Sequence, residues 1–168
     1  MGTLHSIEPG IPAAGVQLAR GSAWLFSPSA ASGEEPVWED GLARIPLGSH
    51  FDVVRCLRGP GAQALTTLRG RGNETGPVLL CTPRQAVEFL VPVGTADTWR
   101  VSGTTVAGRG RTLTCPLPGR TTRGRTWLVL PDGSGTLTDP QVLRDELMRT
   151  SPESPGQAPN SLVSLDRR

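Results

Sequence analysis

The 168-residue chain contains no lysine and no tyrosine, so all seventeen of its cations are arginine and its few aromatic residues are Trp and Phe. A genome-wide bias toward GC-rich codons accounts for such a pattern without any function. It still has a physical consequence, because every cation is a planar fork suited to bidentate contact with phosphate or carboxylate. The three cysteines, Cys56, Cys81 and Cys115, are odd in number and show no CxxC spacing. That argues against a disulfide framework and against a zinc site, and points to buried free thiols in a reducing, cytoplasmic setting. No run of apolar residues approaches a membrane span, and the N-terminus lacks a basic segment followed by an apolar one, so a soluble protein with no membrane partner is expected. There is no GxSxG, HExxH or Walker A loop, and no GxGxxG after a strand.

What is present is a modest apolar fraction, 36%, with 21 glycines and 16 prolines. This composition fits one turn-rich domain, and the length is too short for two full-sized ones. Net charge is only +2, so a basic surface has to be local rather than global.

Met1 to Ile11 shows no periodicity and is expected to fray, leaving a single α/β domain over 12–150. Pro12 to Ser27 carries Val16, Ala19, Ala23, Trp24 and Phe26 at roughly helical spacing, with Gly15 and Gly21 weakening it. Ser29 to Gly41 reads as a loop with a solvated acidic cluster around Trp38. Ala43–Leu47 and Phe51–Cys56 read as strands, and Ala62–Arg69 as a helix with Ala64, Leu65 and Leu68 inward. Pro77–Cys81 is a short, fully apolar strand of central type. Strand, helix and strand in that order predict a βαβ unit in a mixed sheet. Gln85–Val91 predicts a hairpin with the strand before it, Gly94–Trp99 one helical turn, and Thr112–Cys115 with Thr126–Leu130 a second hairpin. Asp139 and Pro140 predict the N-cap and first residue of a helix running to about Thr150. Ser151 to Arg168 is rich in Ser and Pro and is expected to be disordered.

Candidate chemistry is thin. His50 and Asp52 lie two apart at a strand start, where they begin a metal site or form a structural hydrogen-bonded pair; no second His, Asp or Glu cluster accompanies them. Glu88 interrupts the apolar strand QAVEFLV, and is expected either on a wet face or paired with an arginine across the sheet, the wet face being favoured. Between Arg109 and Arg125 lie Arg109, Arg111, Arg120, Arg123 and Arg125 with no acidic residue. The span reads as a cationic rim for phosphates, with Trp127 or Trp99 stacking on a base, or as solvated loop arginines. GRGRTLTC within it precedes a strand, so the helix-dipole route to phosphate binding does not apply.

The segments SAWLFSPSA, IPLGSHFDVV, GPVLLCTPRQAVEFLVPVGTADTW and GRGRTLTCPLPGRTTRGRTWLVLPDG, over roughly Gly21 to Leu147, resemble in order the primase–polymerase (Prim-Pol) domain. This is the bifunctional DNA primase/polymerase N-terminal family, and the resemblance is to its small stand-alone actinobacterial type. It implies a primase–polymerase-like α/β fold with hairpins and flanking helices, and a site for divalent metal and nucleoside triphosphate. Phe89, Pro92, Gly110, Pro116 and Trp127 match the family's scaffold positions. The positions of its acidic pair fall on Asp52 and Val54, of its histidine on Ala86, and of its third acidic residue on Thr105. The Pro-Pro-Ser turn is Pro116, Leu117 and Pro118. Two-metal phosphoryl transfer needs several converging carboxylates, and one is left. The resemblance therefore implies a degenerate member with no catalytic residues, Asp52 being the one weak candidate, and with no cofactor. Single-stranded DNA, RNA or a nucleotide is the expected partner, held by the arginines. Two alternatives stand beside it: a Mg²⁺- or Mn²⁺-dependent nucleotidyltransferase using Asp52, and a protein-interaction module presenting Trp38 or Trp99.

Overall fold

The computed structural model describes residues 13–27 and 36–150. The expected frayed N-terminus, most of the acidic loop and the expected disordered tail lie outside the described residues. The elements in chain order are α1 (Ala13–Leu25), β1 (Val37–Glu39), β2 (Leu42–Pro46), β3 (Asp52–Leu57), α2 (Arg58–Gly70), β4 (Val78–Cys81), β5 (Ala86–Val91), α3 (Thr95–Thr98), β6 (Thr104–Ala107), β7 (Thr112–Cys115), β8 (Arg125–Val129) and α4 (Pro140–Thr150). The mixed helix and strand architecture is the expected α/β class. Among the described residues, no helix is long and apolar enough to cross a membrane.

Five strands form one sheet in the order β6-β3-β5-β4-β8, and three form another in the order β1-β2-β7. Every paired neighbour is antiparallel. The expected βαβ unit exists in split form. Strands β3 and β4, joined through α2, are both antiparallel to β5, so they run parallel with β5 inserted between them. The tight turn after β4 brings this about. Thr82–Arg84 form a single 3₁₀ turn, Gln85 sits in the left-handed region at φ 49, and the chain returns directly alongside β4.

The second expected hairpin does not form. Strand β7 pairs with β2 in the small sheet, while β8 pairs with β4 in the large one. Both strands have the apolar spacing of a half-buried strand, but spacing does not name a partner. Two short strands, β1 and β6, were not anticipated, because Val37–Glu39 and Thr104–Ala107 carry little apolar patterning of their own.

Alternate residues of the large sheet feed two cores. On one face Val54, Cys56, Val78, Val87 and Phe89 pack with Leu65 and Leu68 of α2 and Leu143 and Leu147 of α4. On the other face Val53, Leu79, Leu90 and Trp127 meet Ile45, Leu113 and Cys115 of the small sheet and Leu25 of α1. Strand β5 is buried along its whole length, because it is central and both of its faces are covered. Asp139 caps α4 as expected, its Oδ1 accepting from Gln141 N at 2.8 Å and Val142 N at 3.3 Å.

Candidate functional site: an arginine-lined cleft between the sheets

A cavity of about 510 Å³ opens where β7 passes over the β3 and β6 side of the large sheet. Four arginines line it: Arg55 on β3, Arg84 in the turn after β4, Arg111 in the loop before β7, and Arg125 on β8. Among the described residues no carboxylate lines it. The walls are completed by Thr105, Val106 and Ala107 of β6, by Gly110, and by Thr112 and Thr114.

Beneath this cleft lies Glu88. In the β3–β5 register Arg55 stands directly opposite Glu88, and in the β3–β6 register it stands opposite Thr105, so all three share the cleft face. The Glu88 side chain is 0% exposed. Its Oε1 accepts from Arg55 Nε at 2.8 Å and lies 2.7 Å from Arg55 Nη2. Its Oε2 lies 3.8 Å from Arg125 Nη1 and accepts no hydrogen bond from a described residue. Arg125 in turn donates from Nη1 to the Thr114 carbonyl at 3.0 Å, which ties the large sheet to β7. The favoured expectation of a wet face for Glu88 is thus corrected. A charged residue on a doubly covered strand stays buried only when paired, and here two guanidiniums pair it.

Arg84 and Arg111 make no ion pair or side-chain hydrogen bond among the described residues. The Arg111 backbone is nevertheless held, donating to the Gly108 carbonyl at 3.0 Å and accepting from Leu47 N at 2.9 Å. Gly48 makes this packing possible. It sits at φ +93, and a Cβ there would lie 2.5 Å from the Arg109 Cα, so any side chain would push the loop away.

The structure divides the five arginines of the basic span. Arg111 and Arg125 line the cleft. Arg109 and Arg120 are exposed elsewhere, and Arg123, at φ 50, pairs with Asp40 at 3.0 Å on the surface. Arg55 and Arg84, distant in sequence from the basic span, complete the cluster. The only signal for Arg55 was a lone arginine in a strand that could face Glu88.

Neither tryptophan offered as a stacking platform is available. Trp127 is buried and donates from Nε1 to the Pro116 carbonyl at 3.0 Å; Trp99 is buried and donates to Thr104 Oγ1 at 2.8 Å. Trp38 is 47% exposed on β1, with its ring 5.6 Å from that of Phe26.

Asp52 is buried; its Oδ1 accepts no hydrogen bond from a described residue, and its other oxygen is committed to backbone. Its Oδ2 accepts from Gly94 N at 3.0 Å and Ala96 N at 2.9 Å, holding the turn of α3 against the start of β3. His50 is not its partner: it is exposed, with Nδ1 3.2 Å from Ser49 Oγ. Strand alternation puts Asp52 and Val54 on the helix-covered face, opposite Arg55 and Glu88. Ala86 and Thr105 stand on the cleft face, cross-strand from Leu57 and Arg55. The four positions implied for metal and nucleotide therefore do not converge, and the single carboxylate among them already serves backbone N–H groups. These residues do not fit a two-metal centre. Among the described residues, no group of three or more His, Cys, Asp or Glu could hold a metal ion.

The thiols lie away from the cleft surface. Burial, and after it the Glu88 carboxylate, pushes the Cys56 thiol from 9.0 up to about 12, and the same causes raise Cys115. Both are neutral and unreactive at physiological pH.

No family model, curated protein or solved structure matches the chain.

Proposed function

We propose that this protein is a non-catalytic, primase–polymerase-like domain that binds a phosphate-bearing ligand, a nucleotide or a single-stranded nucleic acid, in the cleft between its sheets. The observation that carries this reading is the convergence of Arg55, Arg84, Arg111 and Arg125 from four separate parts of the chain on one cavity that, among the described residues, has no acidic lining. Glu88 offsets one charge of the four, so positive charge is left in excess at the cleft, and such an excess suits an anion. The cavity volume falls within the roughly 300–1,000 Å³ of small-ligand sites. The resemblance adds a consistent detail: Pro116 and Trp127, two of its scaffold positions, bond to each other, and Gly110, a third, lines the cleft.

The test is a titration of fluorescently labelled oligodeoxynucleotide and nucleotide between low and moderate salt. Binding that weakens with salt, and that Arg84→Gln and Arg111→Gln weaken further without lowering the melting temperature, supports the reading. Absence of binding to either ligand at low salt overturns it. Primer-extension assays with Mg²⁺ or Mn²⁺ are expected to show no nucleotide incorporation, and incorporation lost in Asp52→Asn would restore the enzyme alternative.

A second reading, a protein-interaction module, draws on the exposed Val37 and Trp38 of the edge strand β1. Size-exclusion chromatography with and without Trp38→Ser tests it. A change in elution favours it, and identical monomeric profiles go against it.

A further inference from the structure

We infer that the cleft takes a polyphosphate chain as the free anion, without a divalent cation and without reading a base, so that Mg²⁺ competes with the protein for the ligand. The inference rests on the phosphate-binding reading above and narrows it from any phosphate-bearing ligand to a di- or triphosphate group.

Three observations lead to it. The first is the lining itself. A metal-bridged triphosphate site needs carboxylates aimed at the cation, and among the described residues none faces the cavity. Glu88, beneath the cavity, is fully buried and turned to Arg55 and Arg125. Positive charge here is supplied by guanidiniums, which do the work of a counter-ion directly.

The second is the way two of these guanidiniums are held. Arg55 spends its Nε and one terminal nitrogen on Glu88 Oε1, and Arg125 spends Nη1 on the Thr114 carbonyl. Each retains further donors, and the Arg125 side chain is only 12% exposed, so its position is set before any ligand arrives. Glu88 is thus a positioning residue: it fixes the floor of the site and also neutralises part of its charge. Arg84 and Arg111 stand at the rim without side-chain partners among the described residues, Arg84 in the turn after β4 and Arg111 on a backbone anchored at Gly108 and Leu47. Two fixed and two adjustable forks at different walls match an anion with several charged groups in a row better than a single phosphate.

The third is what the cleft lacks. Among the described residues no aromatic side chain lines it, Trp127 and Trp99 are buried with satisfied N–H groups, and the chain has no tyrosine. A base or a run of bases finds nothing to stack on, so the contacts that favour single strands are absent. The exposed threonines 105 and 112 can donate hydroxyls to phosphate oxygens.

Mg²⁺ binds the same phosphate oxygens that the guanidiniums would use and removes part of their charge. The measurement is isothermal titration calorimetry of the full-length protein with ATP, GTP, CTP, adenosine and inorganic tripolyphosphate, each in EDTA and in excess Mg²⁺. The three nucleotides and tripolyphosphate are expected to bind in EDTA within about threefold of one another, adenosine not at all, and Mg²⁺ to weaken binding by about tenfold, as for loss of one charge-assisted contact. Arg84→Gln and Arg111→Gln should each weaken binding about fivefold to tenfold in EDTA. Neither side chain has a partner among the described residues, so neither variant is expected to disturb the fold. Glu88→Gln keeps an oxygen that can accept from Arg55 and removes the charge, so in a variant shown folded by its melting curve binding is expected to tighten. Nucleotide binding that requires Mg²⁺, or that differs more than tenfold between bases, overturns this inference and leaves the phosphate-binding reading standing. So does binding of single-stranded DNA with none of tripolyphosphate. Failure of every phosphate ligand at low salt removes both.

Discussion

Glu88 is the residue on which the interior of this protein turns. It is a carboxylate on the most buried strand, balanced by Arg55, whose side chain is 36% exposed, and by Arg125. Removing one partner of such a group leaves a charge without compensation. Arg125→Ala and Glu88→Ala are each expected to lower the unfolding free energy by about 3 kcal/mol, measured by urea denaturation. Arg55→Ala should cost at least as much as Arg125→Ala, because it removes the hydrogen bond that the fully buried Glu88 carboxylate accepts. At Asp52, truncation to Ala strips the acceptor from two backbone N–H groups, and a loss of about 2 kcal/mol is expected in the same assay. An intact Asp52→Ala variant that retains full stability would contradict this structural role. The thiols give a pH-dependent prediction. The folded Cys56 thiol ionises near 12 against 9.0 in the ordinary thiol, so the folded state holds its proton longer. Its contribution is fully present below pH 9 and is lost as pH rises from there toward 12. Unfolding midpoints measured across this window should fall, and a thiol-specific chromogenic reagent should label the native protein at pH 8 far more slowly than the urea-unfolded chain.

At the scale of elements, local chemistry explains those that the sequence announces. Asp139 and Pro140 start α4 because an Asx side chain can satisfy the first free N–H groups and proline loses nothing at the first helical position. Asp139→Ala should cost about 1 kcal/mol of stability, read from a denaturant midpoint. The β4–β5 hairpin was legible because its connection is four residues long and its strands are strongly apolar. The supposed β7–β8 hairpin was not, because the nine residues between the strands let β7 join β2 while β8 joins β4. Strand β6 was hidden in a stretch of threonines and glycines that forms a strand only when β3 offers its edge. Gly48 is where this element-level arrangement touches the cleft. Gly48→Ala introduces a Cβ against the Arg109 backbone at a positive φ, and roughly 2 kcal/mol of destabilisation is expected. Because the displaced loop carries Arg111, ligand affinity should fall in the same variant.

For the whole molecule, α2 and α4 on one face of a five-stranded sheet and the small sheet with α1 on the other leave β5 buried along its whole length. The sequence by itself determined the α/β class, the capped final helix, the β4–β5 hairpin, and the restriction of positive charge to arginine. Those properties depend on neighbours a few residues apart, and they are written in composition, periodicity and turn chemistry. Only the tertiary structure decided that Glu88 is buried, that Asp52 and Glu88 face opposite sides of one sheet, and that Arg55 and Arg84 join Arg111 and Arg125 while Arg109, Arg120 and Arg123 do not. A strand pattern reports that a residue alternates, not which strand will lie beside it or whether a second layer will cover its outer face. The arginine cleft comes from those longer-range choices of sheet order and layer packing, made where apolar burial is greatest.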